Sequence, residues 1–397
     1  MVEHHEDNPR STWSCGTHCD ALDGVRGVAI LAVTLYRLCM ELDPQSHPAI
    51  AAVARLAPIG ERGVDLFFVL SGFLITGILL RTKDRPHYFR NFLARRALRI
   101  FPLYFLSLAI GLWVIPRLVE TSLFDIPLAE QFYLWSYTSN LRMGWLNAWC
   151  FGPFDHFWSL AVEEHFYLVW PAIVLFLSTQ RLGTVCLGTL LSVAIGRTIA
   201  AMYPNFHLAV DVLTIFRIDA LASGAWLATI LQSDIPAAGV RRSAWLVMIA
   251  VLPFLIGIAV TGELFLSLPN SLTPIFFTAA MAIVMLSPRP SWPVQFLESR
   301  WLRILGKYSY GMYVLQLPLV KLLPLGVWLG ILPTHALAQS TLYIAGMFGL
   351  ILVLAVASFH LFESHFLKLK PAFPWQGGDS SLQQGRAVRE SFVKVQA

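Results

Sequence analysis

Long apolar segments recur along the whole chain, separated by short stretches that hold most of its charged residues. Each segment is apolar on every face of a helix, and each is long enough to cross about 30 Å of hydrocarbon. We therefore predict an all-α, polytopic membrane protein with about ten transmembrane helices. The predicted spans are residues 22–41, 63–81, 98–116, 157–177, 183–203, 209–232, 244–261, 272–287, 310–331 and 340–362.

The basic residues of the connecting stretches lie mainly on one side of this bundle. With the N-terminus in the cytoplasm, the cytoplasmic stretches hold 20 Lys and Arg residues and the opposite stretches hold four. Cytoplasmic loops are the ones enriched in these residues, so both termini are predicted to be cytoplasmic. The predicted organisation is a cytoplasmic tail at 1–21, a membrane domain at 22–366 and a disordered cytoplasmic tail at 367–397, in a multi-pass protein of the cell (inner) membrane.

Composition excludes a water-soluble globular protein. Of the 397 residues 56% are hydrophobic and 13% are charged, whereas soluble domains carry about a quarter charged residues. The first apolar segment lacks the features of a cleaved signal and is predicted to be a retained helix. The basic residues lie mainly in the cytoplasmic stretches, as the topology of a membrane protein requires. Binding to nucleic acid is therefore not expected. Cys15, His18 and Cys19 lack a second ligand pair, and no metal site is predicted.

Several ionisable residues fall inside the predicted spans, where each costs about 3 kcal/mol or more unless it is paired or hydrated. Arg197 and Lys321 can snorkel towards a span end. Glu163 and Glu164, and also Arg37, are predicted to line a functional polar cavity. From the helical rise of about 1.5 Å per residue, Arg37 and the two glutamates lie at similar depths. We therefore predict a buried ion pair between Arg37 and one of them.

A group of arginines lies at the start of the third predicted span. Arg95, Arg96 and Arg99 follow helical spacing and are predicted to share one face. Arginine binds phosphate in a bidentate manner more readily than lysine does. The group therefore predicts a docking site for a phosphate-rich cytosolic donor, and the alternative is an ordinary topogenic charge signal.

Seven motifs occur in one order along the chain, and together they resemble the acyltransferase-3 family of integral-membrane acyltransferases, which includes O-acetyltransferases of glycans. They are LDGVRGVAIL at 22–31, GVDLFFVLSGFLIT at 63–76, RRALRIFPLY at 95–104, FWSLAVEEHFYLVWP at 157–171, FRIDALASG at 216–224, YSYGMY at 308–313 and FESHF at 362–366.

The resemblance implies transfer of an acyl group, expected to be acetyl, from cytosolic acyl-CoA to a hydroxyl of a cell-surface glycan or lipid-linked carbohydrate. Arg26 matches the family arginine of the first helix, and Arg96 and Arg99 match the pair of the third. These three are the expected acyl-CoA-binding residues, and Glu164 matches the acidic motif of the fourth helix. The substrate or cavity residues expected in addition are Asp65, Ser71, Arg217, Asp219 and Gln316.

The chain departs from the family pattern at two histidine positions. The histidine that would act as base, eleven residues after Arg26, is Arg37, and a second is Gln316. A guanidinium stays protonated and cannot accept the proton of a hydroxyl. The remaining candidate catalytic residues beside Arg37 are Glu163, Glu164 and His165. Three readings stay open: an acyltransferase with a displaced base, a silent relative that binds acyl-CoA or glycan, or a transporter on the same scaffold.

Overall fold

The computed structural model describes residues 19–119, 121–203, 206–261, 268–288, 291–328, 332 and 335–374, and its regular structure within them is all helical. The remainder, including Cys15, His18 and most of the predicted C-terminal tail, lies outside the described residues. Among the described residues, ten helices have 18 or more residues. They are α1 (Asp20–Cys39), α2 (Gly63–Thr82), α3 (Tyr88–Ala109), α4 (Trp158–Phe176), α5 (Thr179–Ala201), α6 (Thr214–Leu231), α7 (Ala237–Thr261), α8 (Leu268–Leu286), α9 (Arg300–Leu322) and α10 (Ala336–Ser358).

Six stretches of the described residues are long and apolar enough to cross a membrane. This confirms an all-helical, multi-pass membrane protein. The count of about ten spans and the cytoplasmic placement of the termini stay predictions. The six stretches are Pro48–Thr82, Tyr88–Leu118, Gly152–Phe176, Thr179–Ala200, Ala237–Gly257 and Ala336–Ala372.

Two helices begin well before the apolar spans that the sequence predicts. Helix α3 begins at Tyr88 and α9 at Arg300, where the predicted spans begin at residues 98 and 310. A helix satisfies its backbone hydrogen bonds internally, so it can continue past the apolar segment into amphipathic turns. The extension of α3 places Arg96 and Arg99 on a helix that packs within the bundle.

Close backbone contacts fix the centre of the bundle. Helix α1 packs against α2 and α9, α6 packs against α2 and α5, and α10 packs on α9. A Cβ added at Gly306 would lie 1.9 Å from the carbonyl oxygen of Asp23, and one at Gly224 would lie 1.8 Å from that of Val69. Small residues permit such an approach between membrane helices. The α1–α9 and α2–α6 pairs are therefore held at fixed rotation and depth.

The segment between α3 and α4 contains short helices. They span Leu128–Trp135 and Ser139–Leu146 and are followed by a 3-10 turn at Gly152–Phe157. The buried Tyr104 hydroxyl donates a hydrogen bond to the carbonyl oxygen of Leu134 at 2.7 Å, which ties the segment to α3. The 3-10 turn runs directly into α4 and buries His156 at the start of that helix.

Candidate functional site

A cavity of about 120 Å³ lies among α1, α2, α3, α4 and α9. Its walls include apolar side chains such as Phe67, Leu74 and Ile100. The polar residues that line it are Arg26, Ser71, Arg96, Arg99, Ser159, Glu163, Tyr167, Ser309, Tyr310 and Tyr313.

Three arginines from two helices converge on this cavity. Arg26 of α1 pairs with Asp23 at 2.8 Å. Among the described residues, Arg96 and Arg99 of α3 form no ion pair, and the buried Nε of Arg96 has no hydrogen-bond partner. Lys370 interacts electrostatically with all three arginines. The cavity therefore has a cationic end with hydrogen-bonding capacity that the surrounding protein leaves unused.

Arg95 lies on the same helix as Arg96 and Arg99 but does not line the cavity. Its Nη1 donates hydrogen bonds to the carbonyl oxygens of Lys370 and Phe373, both at 2.9 Å. Neighbouring residues on a helix point about 100° apart, which turns Arg95 away from the cavity while Arg96 faces it. Through these hydrogen bonds, Arg95 binds the segment that follows α10 to the surface of α3.

Glu163 is held in a hydrogen-bonded chain that joins α2 to α4. The Tyr167 hydroxyl donates to Glu163 Oε2 at 2.9 Å, and Ser71 Oγ lies 2.6 Å from the Tyr167 hydroxyl. A hydroxyl carries one hydrogen, so Ser71 is the donor to Tyr167. Arg96 and Arg99 both interact electrostatically with the Glu163 carboxylate. The chain places a carboxylate next to the cationic end of the cavity.

The other two candidate bases on α4 do not line this cavity. Glu164 is 8% exposed, and its Oε1 has no hydrogen-bond partner among the described residues. His165 points towards α6, where its Nδ1 lies 2.7 Å from Thr214 Oγ1. Successive residues on a helix point in different directions, so of the three candidates only Glu163 faces the cavity.

The predicted ion pair between Arg37 and Glu163 or Glu164 is not formed within the described part of the chain, and that prediction was wrong. Arg37 lies in the last turn of α1 and interacts electrostatically with Asp155 and His156. Those residues precede α4, whereas the glutamates lie further along it and face Arg96. The depths of Arg37 and the glutamates, counted from the ends of the predicted spans, do not distinguish these two positions.

Four further charged residues pair with one another near the shared end of α2, α5 and α6. Arg217 pairs with Asp65, and Arg197 pairs with Asp219 at 2.8 Å. Arg197 is 0% exposed and also donates to Ser271 Oγ at 3.0 Å, so the interpretation of Arg197 as a snorkelling residue was wrong. Asp65, Arg217 and Asp219, predicted as substrate or cavity residues, lie in these pairs and outside the cavity lining.

The structure adds residues that the sequence reasoning did not select. His156 is 1% exposed and precedes Ser159 and Glu163, which line the cavity, in the chain. Its spacing of three and seven residues from them was the signal that could have identified it. Tyr167, Tyr310 and Tyr313 line the cavity. The predicted Gln316 is fully buried on α9 and its Oε1 accepts a hydrogen bond from Thr34 Oγ1 at 3.1 Å.

Comparison with known proteins gives matches over most of the chain. A family model of acyltransferase-3 type, described as an acyltransferase domain, matches residues 20–360. The peptidoglycan O-acetyltransferase OatA of Listeria monocytogenes serovar 1/2a is 28% identical over 339 residues, which are 79% of this chain and 51% of the relative. The O-acetyltransferase OatA of Staphylococcus aureus is 27% identical over 317 residues, 75% of this chain and 50% of the relative. The chain spans about half the length of these curated relatives. No solved structure matches it.

Proposed function

This chain belongs to the acyltransferase-3 family of membrane acyltransferases, and we propose that it transfers an acetyl group from acetyl-CoA to a hydroxyl of a cell-surface glycan. Two of its relatives are named O-acetyltransferases, one of them for peptidoglycan, which makes peptidoglycan or a lipid-linked carbohydrate the proposed acceptor. The observation that carries the proposal is a cavity that joins three arginines to a carboxylate and several hydroxyl groups.

The cationic end suits the phosphates of the donor. Arg96 and Arg99 form no ion pair within the described part of the chain, and a guanidinium binds phosphate oxygens in a bidentate manner. The cavity, at about 120 Å³, is too small for a whole nucleotide. We therefore place the CoA phosphates at the arginines and Lys370, with the narrow thioester arm extending past Ser71 and Glu163.

Glu163 has a positioning role in this proposal. Its carboxylate lies beside Arg96 and Arg99 and accepts the hydrogen bond of Tyr167. An anion at this place orients the two guanidinium groups and limits their mutual repulsion. The Tyr167 and Ser71 hydroxyls are fixed by the same hydrogen-bonded chain and form the wall along which the thioester arm would pass.

The basic-residue asymmetry supports a cytosolic donor and an acceptor on the opposite side. The stretch before α3, with the start of that helix, is the most basic of the connecting stretches, and it leads into Arg96 and Arg99. The positive-inside rule places that end of α3 in the cytoplasm. The expected location is therefore the cytoplasmic membrane, with acetyl-CoA entering from the cytosol.

A topology experiment tests this orientation. In intact cells, a cysteine replacing the exposed Arg85 should resist a membrane-impermeant maleimide, whereas a cysteine replacing Trp145, which is 84% exposed, should react. Native Cys150 should add little background, because burial and the nearby Asp155 raise the pKa of its thiol to about 11, and the thiolate is the reactive form. Labelling at position 85 from outside would reverse the proposed orientation.

The function itself is tested by transfer in a reconstituted system. Purified protein in liposomes is given acetyl-CoA carrying a labelled acetyl group, with de-O-acetylated peptidoglycan fragments as acceptor. We expect label in alkali-labile esters on the fragments and an equal release of free CoA thiol. Mass spectrometry of surface glycans and lipids from cells with and without the chain identifies other acceptors. Donor binding with no ester on any surface glycan or lipid would contradict the proposal and favour a silent relative.

A further inference from the structure

Among the buried side-chain atoms that have no hydrogen-bond partner within the described residues, three lie on neighbouring elements beside the cavity. They are Nε of Arg37 on α1, Nδ1 of His156 before α4 and Nε2 of Gln316 on α9, and we call these three residues the distal cluster. A buried polar atom without a partner costs about 1–3 kcal/mol. Three such atoms on neighbouring elements indicate a place where a polar ligand completes the hydrogen bonding.

Contacts with intervening residues bring the three residues of the distal cluster together. Gln316 accepts a hydrogen bond from Thr34, which lies one helical turn before Arg37 on α1. Nε2 of His156 lies 3.3 Å from the carbonyl oxygen of Val314, two residues before Gln316. Arg37 interacts electrostatically with His156. The cluster therefore lies where α1, α9 and the turn before α4 meet.

The distal cluster adjoins the cavity through two hydroxyl groups. Ser159 Oγ and the Tyr313 hydroxyl line the cavity and lie 2.5 Å apart. Both oxygens also lie within hydrogen-bond distance of the carbonyl oxygen of His156, at 3.2 Å and 3.0 Å. A group bound at the cluster would thus lie next to the end of the cavity that these two side chains line.

The hydrogen bond of His156 decides which ring nitrogen is free. A carbonyl oxygen can only accept, so Nε2 carries the hydrogen that is donated to Val314, and Nδ1 of the neutral ring keeps its lone pair. Of the charged and titratable groups in the described residues, Arg37 from α1 interacts electrostatically with the ring and Tyr313 from α9 packs against it, and the adjacent Asp155 interacts with Arg37. Arg37 cannot accept a proton, but its charge stabilises a developing oxyanion.

We infer that the distal cluster binds the acceptor hydroxyl and that His156 is the catalytic base, an inference that rests on the proposed acyl transfer. Nδ1 of His156 takes the hydroxyl proton while the oxygen attacks the carbonyl carbon of the thioester. The new C–O bond forms, the C–S bond breaks and its electron pair leaves on sulfur. The thiolate takes a proton from the imidazolium, which restores the neutral ring and releases an ester and a free thiol. Arg37 and Gln316 orient the acceptor oxygen.

The variant His156→Gln tests the role of the base. Glutamine keeps an N–H that can reach the Val314 carbonyl and has no basic nitrogen. Removal of a general base costs about 10²–10⁴-fold in rate, so we expect kcat for acetyl transfer to peptidoglycan fragments to fall by that factor. Acetyl-CoA affinity and the melting temperature should be unchanged. The exposed His207 on the same side of the bundle supplies the control His207→Gln, with unchanged kcat. A folded His156→Gln protein with wild-type kcat would overturn the inference.

A chemical test in the wild-type protein decides the inference even where the variant does not fold or no transfer is detected. Diethyl pyrocarbonate modifies unprotonated imidazole nitrogens and can be located by mass spectrometry. We expect slow modification of His156 that peptidoglycan fragments suppress at least several-fold and that CoA leaves unchanged, whereas His207 should react equally in both cases. A histidine that only packs in the core would remain unmodified or show no protection, and that result contradicts an acceptor subsite. Absence of transfer with protection of His156 would contradict the proposed function alone.

Discussion

Replacing Asp219 with asparagine is expected to destabilise the protein by about 3–5 kcal/mol, because the Arg197 guanidinium would be left buried without its counterion. The two side chains are 0% and 2% exposed and pair at 2.8 Å. Arg197 would keep Ser271 as a hydrogen-bond partner, which does not neutralise its charge. The free energy of unfolding of the protein in detergent or bicelles measures the loss.

Replacement of the other partner, Arg197→Met, should lower the free energy of unfolding by less. A stranded aspartate can take up a proton and become neutral, whereas arginine cannot lose one under ordinary conditions. The double variant should be more stable than the sum of the two single losses predicts. Glu41→Gln is the matched control, because it removes a pair with Lys321 that is 20% and 42% exposed and should cost less than about 1 kcal/mol. Additive losses in the double variant would show that Arg197 and Asp219 are not energetically coupled.

Replacing Arg99 with alanine is expected to weaken acetyl-CoA binding about 10–100-fold, since a hydrogen bond to a charged group contributes about 1.5–3 kcal/mol. Arg96→Ala should weaken binding by a similar factor. If both arginines bind one phosphate group, the double variant should lose less affinity than the two single losses combined. Lysine at either position should restore only part of the affinity, because it lacks the bidentate geometry of arginine. The measurement is titration of purified protein with acetyl-CoA and with free CoA at two salt concentrations.

The loss should be the same for acetyl-CoA and free CoA, because the arginines are proposed to bind the phosphates and not the acyl group. It should also shrink at high salt, which screens partly exposed charges. Arg85→Ala removes an exposed arginine next to the start of α3 and outside the cavity lining, and it should leave the affinity unchanged. Unchanged binding in Arg99→Ala at low salt would leave the arginines as topogenic charges only.

These predictions depend on different kinds of information. The membrane class of the protein follows from the sequence alone, because the transfer of an apolar segment into a bilayer depends on that segment's own length and composition. The motifs carrying Arg26, Arg96 and Arg99 were also sufficient to identify the family, and they group these three as the expected donor-binding residues. The structure brings the three to one cavity, as the phosphate-docking hypothesis requires.

The sequence alone did not determine the orientation of individual side chains. Glu163, Glu164 and His165 are consecutive in the sequence, and only the rotation of α4 about its axis decides that Glu163 lines the cavity. In the same way, Arg95 binds the segment after α10 while Arg96 lines the cavity. A repeating pattern of apolar residues does not determine this rotation in helices that are apolar on every face.

The partners of the buried charges also required the tertiary structure. Arg37 lies near His156 and away from the glutamates, and Arg197 pairs with Asp219. Their positions depend on how α1 docks on α9 and how α6 docks on α2, at contacts between residues as distant in the chain as Asp23 and Gly306. The sequence by itself determined which segments enter the membrane and which residue types they carry into it. Only the packing of one helix backbone against another set the depth and rotation that decide which polar groups meet.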